Sequence, residues 1–218
     1  TDLFVNISGL VDFDPDVRDA LAANVIGTIA AADFVASCDH AALLHVSTCY
    51  VAGQRQGRIR EEVLSTTPTG RPWNGSAELQ EITARIDALS QRANSRDGAR
   101  ELEEYLASTG HDCRKCPMSK CLRSSVAEQL LRKAVTKLGQ ARARELGWPN
   151  VYTYSKAMAE DIVANRGLSA WSIFRPSIVE SSLDYPFPGW NEGFNTTGPI
   201  TYLMQNGLHH VPTSGAHP

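Results

Sequence analysis

The chain has 218 residues, 42% hydrophobic and 21% charged, with a net charge of −3. This composition predicts a globular protein with a core of its own, and it gives no reason to expect a nucleic-acid partner or binding to an anionic membrane surface. No apolar run reaches the ~18 residues of a membrane span, and the odd number of cysteines, five, favours reduced thiols in the cytoplasm over a disulfide framework.

The first three predicted elements are a strand, a helix and a second strand. Residues 2–11 form an apolar run that ends in small residues, which is typical of a buried strand and its turn. Asp14 and Pro15 supply a capping side chain and a proline at the first helical position, and apolar residues then recur at helical spacing up to residue 37. Residues 42–51 are rich in β-branched and aromatic side chains, which favours a strand.

A helical segment of about residues 64–148 interrupts this alternation. It opens with a turn-rich stretch, and two apolar stripes at helical spacing follow. Ser125 and Glu128 have the spacing of a capping box, which predicts that the second helix begins there. We expect a helical insertion over one end of the sheet. Its stripes are Leu79, Ile82, Ile86 and Leu89, then Val126, Leu130, Ala134 and Leu138.

A further helix and strand follow the insertion. The helix contains Tyr152 and Lys156 and is predicted to end at Gly167. The apolar run of residues 169–179 predicts a third strand, stopped by the Arg-Pro pair within it. Strands that alternate with helices in this way indicate a parallel sheet in an α/β fold.

Four polar side chains of these elements suggest a reaction at a carbonyl group. Ser47 and Thr48 end the second strand, where ligands bind in open α/β sheets. Tyr152 and Lys156 lie one helical turn apart, and a nearby ammonium lowers the pKa of a phenol toward the neutral range. A threonine hydroxyl can hold the carbonyl oxygen while the tyrosine transfers a proton and a hydride arrives. The alternative is that Thr48 only ends a strand and Tyr152 only packs.

Several short stretches resemble, in order along the chain, motifs of the extended short-chain dehydrogenases/reductases. Two of them, after the first and third strands, are similar to the alcohol-forming fatty acyl-CoA reductases of the male-sterility type. The resemblance covers about residues 3–63 and 147–205. The stretches are "VNISGLVDFD" (5–14), "NVIGT" (24–28), "HVSTCYVAG" (45–53), "YTYSK" (152–156), "FRPSIV" (174–179) and "SSLDYPFPGWNEGFNTTGP" (181–199).

This resemblance implies four catalytic residues. Thr48 matches the catalytic Ser/Thr of the family, and Tyr152 matches its acid/base tyrosine. Lys156 matches the lysine that binds the nicotinamide ribose and tunes the tyrosine. Asn24 matches a helix asparagine credited with ordering the strand or a proton-relay water.

The resemblance also implies a cofactor, NADPH, and a substrate, a long-chain acyl-CoA or acyl carrier thioester that is reduced to an aldehyde and then an alcohol. Asn6, Ser8 and Gly9 replace the histidine and alanines of the family's first loop, and their small size still allows backbone contact with the cofactor. The residues expected to bind the cofactor are Ser8, Gly9, Ser47, Lys156, Pro176, Ser177 and Ile178.

One family motif is missing from the sequence. Extended reductases hold the cofactor pyrophosphate with a Gly-x-x-Gly-x-x-Gly loop after their first strand, and no such pattern occurs here. We therefore expect an α/β fold with a Rossmann-type parallel sheet that is incomplete, without its N-terminal strands and glycine-rich loop. Residues 1–218 would form a partial NAD(P)-binding reductase domain, with the helical insertion at about 64–148.

Two other functions stay open. One is a different extended reductase, such as an NAD-dependent epimerase/dehydratase or a thioester reductase domain. The Pro-Phe-Pro-Gly-Trp stretch argues against it. The pair Cys49-Tyr50 also argues against it, because dehydratases have Asp-Glu at the corresponding positions. The other is a non-catalytic Rossmann-like binding protein, which the missing glycine-rich loop favours and the set Thr48, Tyr152 and Lys156 opposes.

Residues 111–150 contain two further features. The stretch "HDCRKCPMSKC" (111–121) could bind zinc through one histidine and three cysteines, or it could carry free thiols; our expected site includes no metal. The 40 residues also hold nine Lys/Arg against three Asp/Glu. This excess indicates either a solvated helix face or a docking surface for the phosphates of coenzyme A or an acidic carrier protein.

Overall fold

A computed structural model of the chain describes residues 2–109, 119–192 and 198–207, without the side chains of residues 119–122. The chain forms two compact units, Thr1–Arg175 and Pro176–Pro218. The first unit contains all three strands and six of the seven α-helices of the described residues.

The first unit is built on a parallel sheet of three strands. These are β1 (Leu3–Asn6), β2 (Ala42–Val46) and β3 (Trp171–Phe174), and β2 lies in the middle. Each strand is shorter than the apolar run that predicted it. After β2, for example, the run continues as a 3-10 turn, Cys49–Ala52, because the strand has reached the edge of the sheet. The predicted parallel α/β fold is confirmed.

The two faces of this sheet differ. Helices α2 (Gly27–Ala36) and α6 (Val151–Ala164) cover one face. Strand residues alternate between faces, and on the opposite face Leu3, Val5 and Phe174 are 55%, 43% and 56% exposed. Among the described residues of the first unit, the sheet therefore has one buried side. Side chains buried beneath it are Ala32, Val35, Ala41, Leu43 and Val163.

The helix between β1 and β2 is continuous but irregular. Helix α1 (Val17–Ala20) passes through a π-helical turn, Leu21–Ile26, into α2. Its N-cap is Asp16, whose carboxylate accepts a hydrogen bond from the backbone N–H of Arg18 at 2.9 Å. The predicted start at Asp14 is therefore two residues early.

One helical segment of the described residues, Val17–Ala36, is long and apolar enough to cross a membrane, with a mean hydropathy of 1.4. Buried core helices meet the same criterion, and Val17 and Val25 lie in the main hydrophobic core of this unit. The segment is thus weak evidence for a membrane span.

The predicted insertion contains three helices: α3 (Gly75–Ala93), α4 (Arg96–Ser108) and α5 (Ser119–Leu146). The two apolar stripes correctly indicated α3 and α5. Helix α4 was missed because its sequence is mostly polar, with only a short apolar stripe. The capping-box prediction at Ser125 was wrong, since α5 begins at Ser119 and Ser125 lies inside it.

Buried contacts attach the insertion to α6. The phenol of Tyr154 donates to Glu78 of α3 at 2.6 Å, and Arg142 of α5 donates to both oxygens of the same carboxylate at 2.8 and 2.7 Å. The rings of Trp73 and Trp148 lie 4.7 Å apart, and Trp148 also packs against Tyr154. These contacts brace the side of α6 that faces away from the sheet.

The ion pair of the insertion gives a stability prediction. The side chains of Arg142 and Glu78 are only 12% and 8% exposed, and removing one partner of such a pair leaves a buried charge without compensation. We expect Arg142→Met to lower the free energy of unfolding by about 3 kcal/mol. In the control Arg132→Met, the pair with Asp19 is largely exposed, so the loss should stay below about 1 kcal/mol. Urea unfolding measures both values, and equal losses would contradict this account.

The second unit contains α7 (Gly198–Gln205) and a tight turn before it. In that turn the backbone N–H of Ser182 donates to the carbonyl of Trp190 at 2.7 Å, and the N–H of Gly189 donates back to Ser182 at 2.8 Å. Gly189 has a φ of 83°, a conformation that favours glycine. The Pro-Gly-Trp stretch of the sequence thus forms a defined turn.

Candidate functional site

Thr48 and Tyr152 meet at the carboxyl end of β2. Thr48 caps the 3-10 turn after the strand, where its Oγ1 accepts a hydrogen bond from the N–H of Tyr50 at 3.3 Å. Tyr152 lies in the first turn of α6, whose N-cap is Asn150. The hydroxyl of Thr48 lies close enough to the phenol of Tyr152 to act on its pKa. The structure therefore brings together the hydroxyl and the phenol that the sequence paired.

Lys156 lies one turn further along α6 and is buried. Its Nζ donates to the carbonyl oxygen of Val46, the last residue of β2, at 2.7 Å. Burial lowers the pKa of Lys156 to about 8, against a smaller opposing effect of the Glu160 charge. The ammonium thus reaches the end of the strand that carries Thr48, and most of it keeps its proton at neutral pH.

The protonation of Tyr152 differs from the sequence-based expectation. Burial raises the pKa of Tyr152, and the nearby hydroxyl of Thr48 acts in the opposite direction. We had expected the Lys156 ammonium to lower this pKa, but in the structure that ammonium is bonded to Val46. Tyr152 is therefore a neutral phenol at neutral pH, and a neutral phenol can donate its proton.

Asn24 connects the loop after β1 to α6. Its side-chain amide binds both main-chain groups of Leu10, accepting from N–H at 2.7 Å and donating to the carbonyl at 3.1 Å. Its Nδ2 also donates to Oγ of Ser155 at 2.8 Å, and Ser155 in turn donates to the carbonyl of Tyr152 at 2.9 Å. Asn24 lies in the π-helical turn, a feature often found at functional sites. In this structure Asn24 positions backbone rather than a reacting group.

The loop after β1 lies beside the lysine. A Cβ atom added to Gly9 would stand 3.0 Å from Oδ1 of Asn24 and 3.8 Å from Nζ of Lys156. Ser8 is exposed, and its hydroxyl donates to the side chain of Asn6 at 2.9 Å. Gly9 thus lets the loop pass close to Asn24 and to the buried ammonium, where a side chain would crowd Asn24.

His45 on β2 and Ser47, directly after this strand, are buried, and each has a polar atom without a partner among the described residues. Ser47 Oγ and His45 Nε2 make no hydrogen bond with any of the residues that the structure describes. The other ring nitrogen of His45 lies 3.3 Å from Nδ2 of Asn6. Burial, together with the charge of Lys156, lowers the pKa of His45 to about 3, so the ring is neutral. Ser47 therefore has a hydroxyl available for a bound group.

These features fit the nicotinamide and ribose half of a dinucleotide. Lys156 supplies an ammonium, Gly9 brings the main chain of the first loop close to it, and the hydroxyl of Ser47 has no partner among the described residues. The other expected cofactor residues, Pro176, Ser177 and Ile178, begin the second unit, so their place at this site stays a prediction.

Sequence reasoning missed residues that support Thr48 and Tyr152. Trp148 Nε1 donates to the carbonyl of Val51 at 2.8 Å and so fixes the turn that follows Thr48. The ring centroids of Phe13 and Tyr152 lie 6.2 Å apart. The main-chain carbonyl of Phe13 accepts a hydrogen bond from the N–H of Val151 at 3.0 Å. Only a three-dimensional arrangement reveals such contacts, since these partners are distant in sequence.

The two features of residues 111–150 have different outcomes. The side chains of the histidine and cysteines of residues 111–121 lie outside the described residues, and of these four residues only the backbone of Cys121, in α5, is described. Among the described residues, no group of three His, Cys, Asp or Glu could hold a metal. The arginines of α5 mostly pair with acidic residues of other helices, and the burial of Arg142 against Glu78 favours a structural role for this residue over docking. Their ion pairs are Arg123–Glu103, Arg132–Asp19 and Arg142–Glu78.

Comparison with known proteins relates the whole chain to one family. The family model described as male sterility protein matches residues 1–215. The chain is 29% identical to probable fatty acyl-CoA reductase 4 of Arabidopsis thaliana over 94% of its own length and 36% of that protein. It is 29% identical to the alcohol-forming fatty acyl-CoA reductase of Simmondsia chinensis, over 89% of this chain and 34% of that protein.

A third relative matches a shorter stretch more closely. Fatty acyl-CoA reductase 2 of Homo sapiens is 44% identical over 62 residues, which are 28% of this chain and 12% of that protein. The chain spans about a third of the length of the plant relatives it matches. With the match of the family model to nearly its full length, the chain belongs to the male sterility protein family, and its parallel sheet and helices form an NAD-binding, Rossmann-like domain.

Proposed function

We propose that the full-length protein reduces a long-chain fatty acyl thioester, either acyl-CoA or an acyl carrier thioester, with NADPH. The observation that carries this proposal is the Thr48 hydroxyl near the Tyr152 phenol, one helical turn from Lys156, whose buried ammonium reaches the end of β2. The names of the relatives support the substrate class. The choice of NADPH over NADH rests on the family resemblance alone.

The residues of the chain have distinct tasks in this reaction. The bound cofactor supplies a hydride to the thioester carbon. Thr48 donates a hydrogen bond to the carbonyl oxygen, and Tyr152 transfers its proton to that oxygen as negative charge develops. The resulting tetrahedral adduct expels the thiol and leaves an aldehyde.

A second passage through the same site would give the alcohol, with a second NADPH bound in place of the spent NADP⁺ to supply the second hydride. The aldehyde carbonyl has the same requirements as the thioester carbonyl, a hydrogen-bond donor and a proton donor on the oxygen. Tyr152 must regain a proton between the two steps. Lys156 binds the ribose of the cofactor and holds positive charge near the phenol. We propose that both reductions take place here, which gives the alcohol-forming activity.

The role of the Thr48 hydroxyl can be tested with a side chain of nearly the same shape. We expect Thr48→Val in the full-length protein to lower kcat by about 10²-fold, because valine fills the same volume without a hydroxyl. The Kd for NADPH should stay nearly unchanged. Cofactor fluorescence gives Kd, and NADPH oxidation with a long-chain acyl-CoA gives kcat. Unchanged kcat in the variant would contradict the role of the hydroxyl.

A further inference from the structure

A buried ion pair lies close to Lys156. Arg175, the residue after β3, donates from Nε and Nη2 to the two carboxylate oxygens of Glu160 at 2.9 and 2.5 Å. The Glu160 side chain is 1% exposed and that of Arg175 is 17% exposed. Arg175 also donates to the carbonyl of Glu62 at 3.0 Å. Burying two charges has a large desolvation penalty, and the mechanism above does not use this pair.

Glu160 lies one turn after Lys156 on α6, so both side chains project from the same side of the helix. The charge of the carboxylate favours the charged form of Lys156, and burial opposes it. The other described groups around the ammonium are neutral at physiological pH. They are His45 from β2, Tyr152 from α6, and Asn24 beyond Gly9.

The two cations are bonded to different acceptors. Both carboxylate oxygens of Glu160 accept from Arg175, whereas Lys156 donates to the carbonyl of Val46. Glu160 therefore acts on Lys156 through its charge and not through a hydrogen bond. Without Arg175, a bare carboxylate would draw the ammonium into a direct ion pair and away from the end of β2.

We propose that Glu160 and Arg175 form a positioning pair, in which Glu160 keeps the buried Lys156 protonated and Arg175 holds the carboxylate back from direct contact with it. The inference rests on the proposed function in one respect, that the charged ammonium is the form that binds the cofactor ribose. Arg175 directly precedes Pro176, so the same pair also fixes the main chain from which the predicted cofactor loop starts.

Titration of Lys156 tests this proposal without any enzyme assay. Lysine labelled with ¹³C at Cε is followed by NMR against pH in the full-length protein without cofactor or thioester, and Lys156→Arg identifies the resonance. The expected pKa of Lys156 is about 8 in the unmodified protein. In Glu160→Gln the midpoint should fall by about one pH unit, because the amide keeps the shape but not the charge.

A neighbouring carboxylate provides the matched control. Asp161 is also buried on α6, but it accepts a hydrogen bond from the N–H of Gly75 at 2.7 Å, on the side of the insertion. Asp161→Asn should destabilise the fold without moving the Lys156 midpoint. A purely structural role for Glu160 would instead give two variants with lower Tm and the same midpoint, and that result would overturn the proposal.

A second variant covers the case in which Glu160→Gln does not fold. Arg175→Met removes the guanidinium and leaves the charge of Glu160 uncompensated, so the Lys156 midpoint should rise above that of the unmodified protein. An unchanged or lower midpoint would overturn the proposal. Because titration needs no substrate, shifted midpoints in a protein without acyl-CoA reduction would contradict the proposed function and leave the role of the pair intact.

Discussion

Tyr152→Phe should lower kcat for acyl-CoA reduction by about 10³-fold and leave the Kd for NADPH nearly unchanged. The phenol acts on charge that develops on the carbonyl oxygen, so its loss affects the chemical step rather than cofactor binding. The structure supports this role, because burial raises the pKa of Tyr152 and the group is a proton donor across the neutral range. Single-turnover oxidation of NADPH gives the rate of the chemical step.

The chain contains a closely matched control for this substitution. Tyr154 lies two residues along the same helix, and its phenol donates to Glu78 in the insertion. Tyr154→Phe removes the same atom from the same helix, so we expect lower stability and near-normal single-turnover rates. Wild-type rates in Tyr152→Phe, or equal rate losses in both variants, would contradict the assignment of Tyr152 as the proton donor.

The pH dependence of kcat/KM should report Lys156. Burial lowers the pKa of this lysine from 10.5 to about 8, and in the proposed mechanism the protonated form binds the ribose. Activity should therefore be complete below this pKa and fall tenfold for each unit of pH above it. Tyr152 does not produce this fall, because its pKa is raised. The profile of kcat/KM in the full-length protein measures the effect.

Two substitutions separate the charge of Lys156 from its volume. Lys156→Met should lower kcat/KM by about 10³-fold, since both cofactor binding and transition-state stabilisation depend on the ammonium. Lys156→Arg keeps a charge that does not titrate in this range, so the fall in kcat/KM near pH 8 should disappear while some activity remains. A fall at the same pH in Lys156→Arg would show that another group titrates there.

The order of strands and helices could be predicted from the sequence because continuous apolar runs indicate the strands and apolar residues at helical spacing indicate most of the helices. The runs at residues 2–11, 42–51 and 169–179 each contain a strand, and the helix with Tyr152 begins directly after its N-cap, Asn150. Strand ends were less predictable, because an apolar run continues into the loop once the sheet edge is reached. Helix α4 was not predictable from periodicity, since most of its residues face solvent.

The candidate site could be predicted where sequence spacing fixes geometry. A separation of four residues on a helix places Tyr152 and Lys156 one turn apart, and the strand end places Thr48 nearby. The supporting contacts were not predictable, because Trp148 and Val51, or Glu160 and Arg175, meet only when the fold is complete. The pKa of Tyr152 also depends on where the ammonium of Lys156 points, and spacing alone does not specify that direction.

The central claim is that a hydride from the nicotinamide ring reaches the carbonyl carbon of an acyl thioester in this family member. Incubation of the full-length protein with a long-chain acyl-CoA and NADPH deuterated at both C4 positions, followed by mass spectrometry of the products, tests it most directly. The account predicts one deuterium at C1 of the aldehyde and two at C1 of the alcohol. Free fatty acid without deuterium, or unchanged acyl-CoA beside unoxidised NADPH, would contradict it.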